Sequence, residues 1–131
     1  MEPQKSLLFV DDDSNLLDIL KIGFERANFF VKTSLSAKDA WAILNDGFKP
    51  DLILLDMHMP NEDGSLFLHK LKGDLNYKNY KVAFLTNLRD PNEALLFIDK
   101  KFANECGACG FIRKTDDLED IVTQVQNLLV T

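Results

Sequence analysis

PDLILLDMHMP, residues 50–60, is the stretch on which the fold turns. Residues 52–55 form an unbroken apolar run behind a Lys-Pro break, and Asp56 closes it. A strand with one wet face alternates apolar and polar residues; a strand covered on both faces does not have to. The run therefore predicts a central strand of a parallel sheet. A lone carboxylate directly behind such a strand is costly unless something satisfies it. Asp56 is thus the first candidate functional residue.

The flanking segments alternate in type. Residues 6–11 read as a buried strand, and 14–27 as a helix with Leu16, Leu17, Leu20 and Phe24 on one face and Ser14 as its cap. Residues 29–33 are β-rich. Ala37, Ala40, Trp41 and Leu44 mark a second helix, capped by Ser36 and stopped by Gly47. Beyond Asp56 the pattern predicts helix over 63–74, strand over 81–85, helix over 91–105 and strand over 109–113. Leu118, Ile121, Val122, Val125, Leu128 and Leu129 complete an amphipathic helix. Five β-α pairs predict an α/β fold, a doubly wound, five-stranded parallel sheet with helices on both faces. Strand order 2-1-3-4-5 would set the first and third strands side by side at a switch point. No repeat, low-complexity tract or linker divides residues 1–131, so a single domain with no effector attached is expected.

Four of the apolar runs end in polar residues that this topology gathers. These are Asp11 and Asp12 after SLLFV, Asp56 after DLILL, Thr86 after VAFL and Lys114 after GFIR. Ligands of open parallel sheets bind at the carboxyl ends of the strands. Crowded carboxylates disfavour one another's charged forms unless a cation intervenes. Oxygen-only ligands with room for water suit Mg²⁺. Asp56 beside a dication is a candidate nucleophile toward phosphorus. Lys114 would neutralise phosphoryl oxygens, and the Thr86 hydroxyl would donate to one. DDDSN also opens like a calcium-binding loop, but Leu16 stands where that loop needs glycine and Ile22 where it needs glutamate.

Composition narrows the function classes. Fifteen basic against twenty-one acidic residues give a formal charge of −6, and no basic stripe recruits nucleic acid. No stretch reaches the roughly 18 apolar residues of a membrane helix, and the N-terminus lacks a signal-peptide pattern, so the cytoplasm is expected. Cys106 and Cys109 form a CxxC between a helical segment and a strand, the opposite junction from a redox pair, so reduced structural thiols are expected. His58 and His69 lack the companions of a catalytic or metal-binding histidine.

Taken together, LLFVDDD, PDLILLDMHMP with Asp63-Gly64, FLT at 84–86 and GACGFIRK at 107–114 resemble the receiver domain of two-component response regulators over essentially the whole chain. The resemblance implies a flavodoxin-like fold and a signalling switch rather than an enzyme acting on an external substrate. It implies a phosphoryl group taken from a histidine kinase or phosphotransfer protein onto Asp56. It implies Mg²⁺ held by Asp12, by Asp11 through water, by Asp56 and by the His58 backbone carbonyl. It further implies that Lys114 and Thr86 hold phosphoryl oxygens and that Phe111 swings inward as Thr86 moves. Output would pass to a downstream protein or a homodimer through the face of the fourth helix, fifth strand and fifth helix.

Three departures from the family pattern stand out. Asn87, also at the phosphoryl site, replaces a small residue and should slow small phosphodonors and hydrolytic water. Thr115 replaces a proline, so its peptide bond should be trans. The stretch between Thr86 and Lys114 is several residues longer than usual and carries an apolar run at 95–98, suited to deep packing or to a partner. Two other functions stay open: a phosphohydrolase of the haloacid-dehalogenase type, although His58 stands where its general acid would be, and a receiver that binds partners without phosphorylation.

Overall fold

The structure, a computed structural model, describes residues 4–56, 58–59, 62–86, 110–115 and 117–130; of residues 58–59 and 62–65 it describes the backbone. Among these, five strands pair in parallel: β1 (Lys5–Val10), β2 (Phe29–Ser34), β3 (Leu52–Asp56), β4 (Val82–Thr86) and β5 (Gly110–Arg113). Their order is β2-β1-β3-β4-β5, as the alternation of segments predicts. Among the described residues four helices accompany them: α1 (Ser14–Arg26), α2 (Ala37–Asn45), α3 (Gly64–Lys72) and α4 (Leu118–Leu129).

The period of two along β1 divides the core. Leu7 and Phe9 face one way and join Leu17, Leu20, Phe24, Ile121 and Val125 from α1 and α4. Leu8 and Val10 face the other way and join Ala40 and Leu44 of α2 and Phe67, Leu68 and Leu71 of α3. Every residue of β3 and β4 is buried, which is why both strands read as unbroken apolar runs. Aromatic contacts lock the first layer: centroid to centroid, Phe24 lies 5.1 Å from a tilted Phe9 and 5.4 Å edge-on from Phe29. Gly23 of α1 abuts Leu118 of α4 so closely that a Cβ there would collide with its side chain.

The helix ends follow from local chemistry, with one correction. Ser36 caps α2 as expected, accepting from the Asp39 N–H at 3.1 Å. Gly47, at φ 103°, turns the chain just after that helix. Ser14 does not cap α1; Asp13 does, accepting from the Leu16 N–H at 3.1 Å. The chain leaves β1 at Val10, so Asp13 is the last extended residue and Ser14 is already helical. A short antiparallel pair, His58–Met59 with Glu62–Asp63, follows β3 and had no signature in the sequence. Helix α3 is shorter than the span 63–74. The Lys114–Thr115 peptide is trans, as the absence of proline predicts. The helix expected over 91–105, the 95–98 run, Asn87, Cys106 and Cys109 lie outside the described residues.

Candidate functional site

The parallel register carries Asp11 and Asp56 to the same edge of the sheet. Val10 stands opposite Leu55, so the next residue of each strand emerges at the carboxyl end side by side. Asp11 is fixed three ways. Its backbone N–H donates to the Ser34 carbonyl at 3.0 Å, its Oδ1 accepts from the Asp13 N–H at 3.0 Å, and its Oδ2 lies 2.9 Å from Lys114 Nζ. Successive side chains leave a strand in opposite directions, and Asp12 is exposed where Asp11 is 1% exposed. Oxygens of Asp11, Asp12 and Asp56 nevertheless all lie within 4.8 Å of one another.

Lys114 spans this cluster from the far side. Its backbone N–H donates to the Thr86 carbonyl at 2.7 Å, which sets the base of its stem beside the end of β4. Its ammonium then reaches across β4 to Asp56 Oδ1 at 3.1 Å and to Asp11. Burial pulls the Lys114 pKa down, but the Asp11 and Asp56 carboxylates more than offset this and hold it above its ordinary 10.5. The approach to Asp11 Oδ2 is an ion pair by distance but lacks hydrogen-bond geometry. That buried oxygen is charge-compensated while its lone pairs remain undirected. An unbonded buried carboxylate oxygen, two further carboxylates within reach and exposure at Asp12 fit a hard, partly hydrated cation.

Thr86 is fully buried, and its hydroxyl donates to the Ile112 carbonyl at 3.4 Å, a long bond. Phe111, opposite Phe84 in the register, is half-buried and stacked on it at 5.8 Å and 27°. The structure thus brings together Asp11, Asp12, Asp56 and Lys114, with Thr86 at the adjoining strand end. His58 follows the site in the short antiparallel pair, its side chain outside the described residues, and Asn87 lies outside them altogether. His69 is exposed on α3. Ser34 was missed: it closes β2, is buried, and holds the Asp11 backbone. A polar residue at a strand end was the signal that singled out the other members, and Ser34 shares it. An apolar groove of about 700 Å³ between α1 and α4, lined by Ile19, Ile22, Leu118 and Val122 among others, contains none of these groups.

A family model, the response regulator receiver domain, matches residues 7–126. The chain belongs to this family. Among relatives of this receiver domain, response regulator Rre1 of Synechocystis sp. is 30% identical over 125 residues, covering 95% of the chain and 51% of that protein. The DNA-binding dual master transcriptional regulator RpaA of the same organism is 28% identical over 123 residues, 94% of the chain and 48% of that protein. The chain therefore spans about half the length of the relatives it matches. The chemotaxis response regulator CheY4 of Vibrio cholerae shares the fold, with a TM-score of 0.79 at 22% identity over 96% of this chain and 99% of its own. The architecture is flavodoxin-like, and the chain is a receiver of two-component signalling. Among the described residues no helix is long and apolar enough to cross a membrane.

Proposed function

We propose that residues 1–131 act as one receiver unit that takes a phosphoryl group from a histidine kinase or phosphotransfer protein onto Asp56. The observation that carries this reading is the convergence of Asp11, Asp12 and Asp56 within 4.8 Å beneath the Lys114 ammonium. Asp56 presents a carboxylate at a strand end, one oxygen of which is tied to Lys114. Attack by a carboxylate oxygen forms the O–P bond as the donor's P–N bond breaks and its imidazole departs.

Asp11, Asp12 and Asp56, with the His58 carbonyl as a further ligand, would hold Mg²⁺. The ion would supply charge neutralisation for the carboxylates and the incoming phosphoryl oxygens. Lys114 is placed to follow the negative charge from carboxylate to phosphoryl oxygen. Thr86 exchanges its long bond to the Ile112 carbonyl for a phosphoryl acceptor. Such an exchange draws the end of β4 toward Asp56 and biases the packing of Phe111 against Phe84. Output then reaches a downstream protein or a second copy through the surface around β5 and the C-terminal helix. Asn87, next to Thr86, would crowd the phosphoryl group and slow its loss.

Mass spectrometry after treatment with a small acyl phosphate and Mg²⁺ tests the reading. One acid-labile phosphoryl adduct per chain, absent from Asp56→Asn and without Mg²⁺, is the expected result. Sustained phosphate release from a generic phosphomonoester would instead make the protein a hydrolase. Partner binding with no adduct would make it a phosphorylation-independent module.

A further inference from the structure

Both chain neighbours of Lys114 are tied to side chains of α4. The Arg113 N–H donates to Gln124 Oε1 at 3.0 Å, and Gln124 Nε2 donates back to the Arg113 carbonyl at 3.3 Å. A side-chain carboxamide thus closes on one residue's backbone donor and acceptor, as a partner strand would. Arg113 Nε adds a third, longer bond to the same oxygen at 3.4 Å. On the other side, the single Thr115 Oγ1 proton is shared between two acceptors, the Asp117 carbonyl at 3.0 Å and Asp120 Oδ2 at 3.3 Å. Gln124 Nε2 reaches that same Asp120 oxygen at 3.2 Å, which joins the two halves into one network.

Lys114 sits between these anchors, and its own N–H is held by Thr86. We propose that Gln124, braced by Asp120, is a positioning residue for Lys114. It fixes the backbone of Arg113, while Asp120 meets the Thr115 hydroxyl on the other side, so that the long, flexible stem delivers its ammonium to Asp56 and Asp11. An unrestrained lysine spreads its charge over many rotamers, and holding it in one costs entropy. A carboxamide bonded to both backbone groups of the preceding residue leaves those rotamers free but fixes the point from which the stem sets out before any phosphoryl group arrives. Gln124 and Asp120 bond to the residues flanking Lys114 rather than to Asp11, Asp12 or Asp56, and act through the chain that carries the lysine. The role rests on the phosphoacceptor reading, but the placement of the lysine can be read without it.

The test uses two readouts on Gln124→Leu and on Asp120→Ala, with Thr123→Val on the same helix as control. The first is the rate at which an amine-reactive ester labels Lys114, followed by peptide mass spectrometry. The second is the rate of adduct formation at Asp56 from an acyl phosphate with Mg²⁺. Gln124→Leu is expected to label Lys114 about fivefold faster and form the adduct about fivefold slower, the scale of one net hydrogen bond. Asp120→Ala should shift both in the same direction by less, and Thr123→Val should shift neither. Unchanged Lys114 labelling in Gln124→Leu overturns the proposal, whatever happens to the adduct. Faster labelling in a protein whose parent forms no adduct upholds the placement and sinks the phosphoacceptor reading instead.

Discussion

Asp51 and Asp56 bracket the same strand and live in different chemistry. Asp51 enters β3 from solvent, and its Oδ2 accepts the Ser6 N–H at 2.7 Å while its own N–H donates to the Ser6 carbonyl at 2.7 Å. It is an exposed staple that closes the amino end of the β1–β3 pair with its own backbone. Asp56 leaves the strand 5% exposed, beside a second buried carboxylate, and it is met by a side chain delivered from two strands away. In a parallel sheet the amino ends can be closed by the chain's own turns. The carboxyl ends at a switch point diverge, and the groups left there must find partners from distant elements or from ligands. Residue type says little; the end of the strand decides.

The sharpest way to break this comparison is to neutralise each acid in turn. Asp56→Asn should abolish the phosphoryl adduct outright, and Asp51→Asn should leave its yield and rate within about twofold of the parent, the scale expected of a surface change. Quantitative mass spectrometry reads both. Slowing by Asp51→Asn comparable to that of Asp56→Asn would mean the two ends of β3 are not chemically distinct.

Next in size is the cation that holds the buried end together. Lys114→Met keeps the apolar stem and removes the charge, leaving Asp11 and Asp56 to repel each other. Breaking a buried ion pair from one side costs about 3–5 kcal/mol. Lys114 is 23% exposed, so solvent screening reduces the expected loss to about 2 kcal/mol in chelator-treated protein. Added Mg²⁺ should recover more stability in Lys114→Met than in the parent, because only the variant lacks a resident cation. Denaturant titrations with and without Mg²⁺ measure this, and equal Mg²⁺ effects on the two proteins would remove the ion from the acid cluster.

The same lysine sets a smaller pH effect. Its folded pKa lies above the ordinary 10.5, so folded protein holds the proton more tightly than unfolded protein does. The stabilisation is complete below the ordinary value and is lost as pH climbs through the folded one. Melting temperature of chelator-treated parent should therefore fall more steeply than that of Lys114→Met above about pH 10. Tyr80, whose pKa burial also raises with help from Tyr77, acts in both proteins alike. The difference between the two curves belongs to Lys114.

Much of this arrangement is legible before folding because burial on both faces leaves a signature in composition. Residues 52–55 and 82–85 read as continuous apolar runs since each alternate residue meets a different helical layer. The acids and Thr86 are legible as polar punctuation of those runs. What the sequence could not show is reach. Nothing in GFIRK tells that the lysine crosses β4 to serve two acids, because that depends on strand spacing and on the Thr86 carbonyl beneath it. The α1 cap was misassigned by one residue since Asp13 and Ser14 are both good caps, and the choice rests on where β1 lets the chain turn. Gln124 was invisible for a related reason: a polar residue on an amphipathic helix reads as solvated until its neighbour strand is placed.

The mildest expected effect returns to the amino end of β3. Asp51→Ala deletes the acceptor for the Ser6 N–H but leaves the reciprocal bond from the residue 51 N–H to the Ser6 carbonyl, which any residue but proline can make. The released donor lies at an exposed position and water can replace the carboxylate, so the unsatisfied-group penalty does not arise. A loss of about 0.5 kcal/mol is expected, at the low end for a net hydrogen bond. Phosphorylation and Mg²⁺ response should be those of the parent. Chemical denaturation resolves a change of this size only if the slope with denaturant stays constant. A loss of several times that value would show that the staple is cooperative with the core beneath it, and that the amino end of β3 matters to folding as much as the carboxyl end matters to the chemistry.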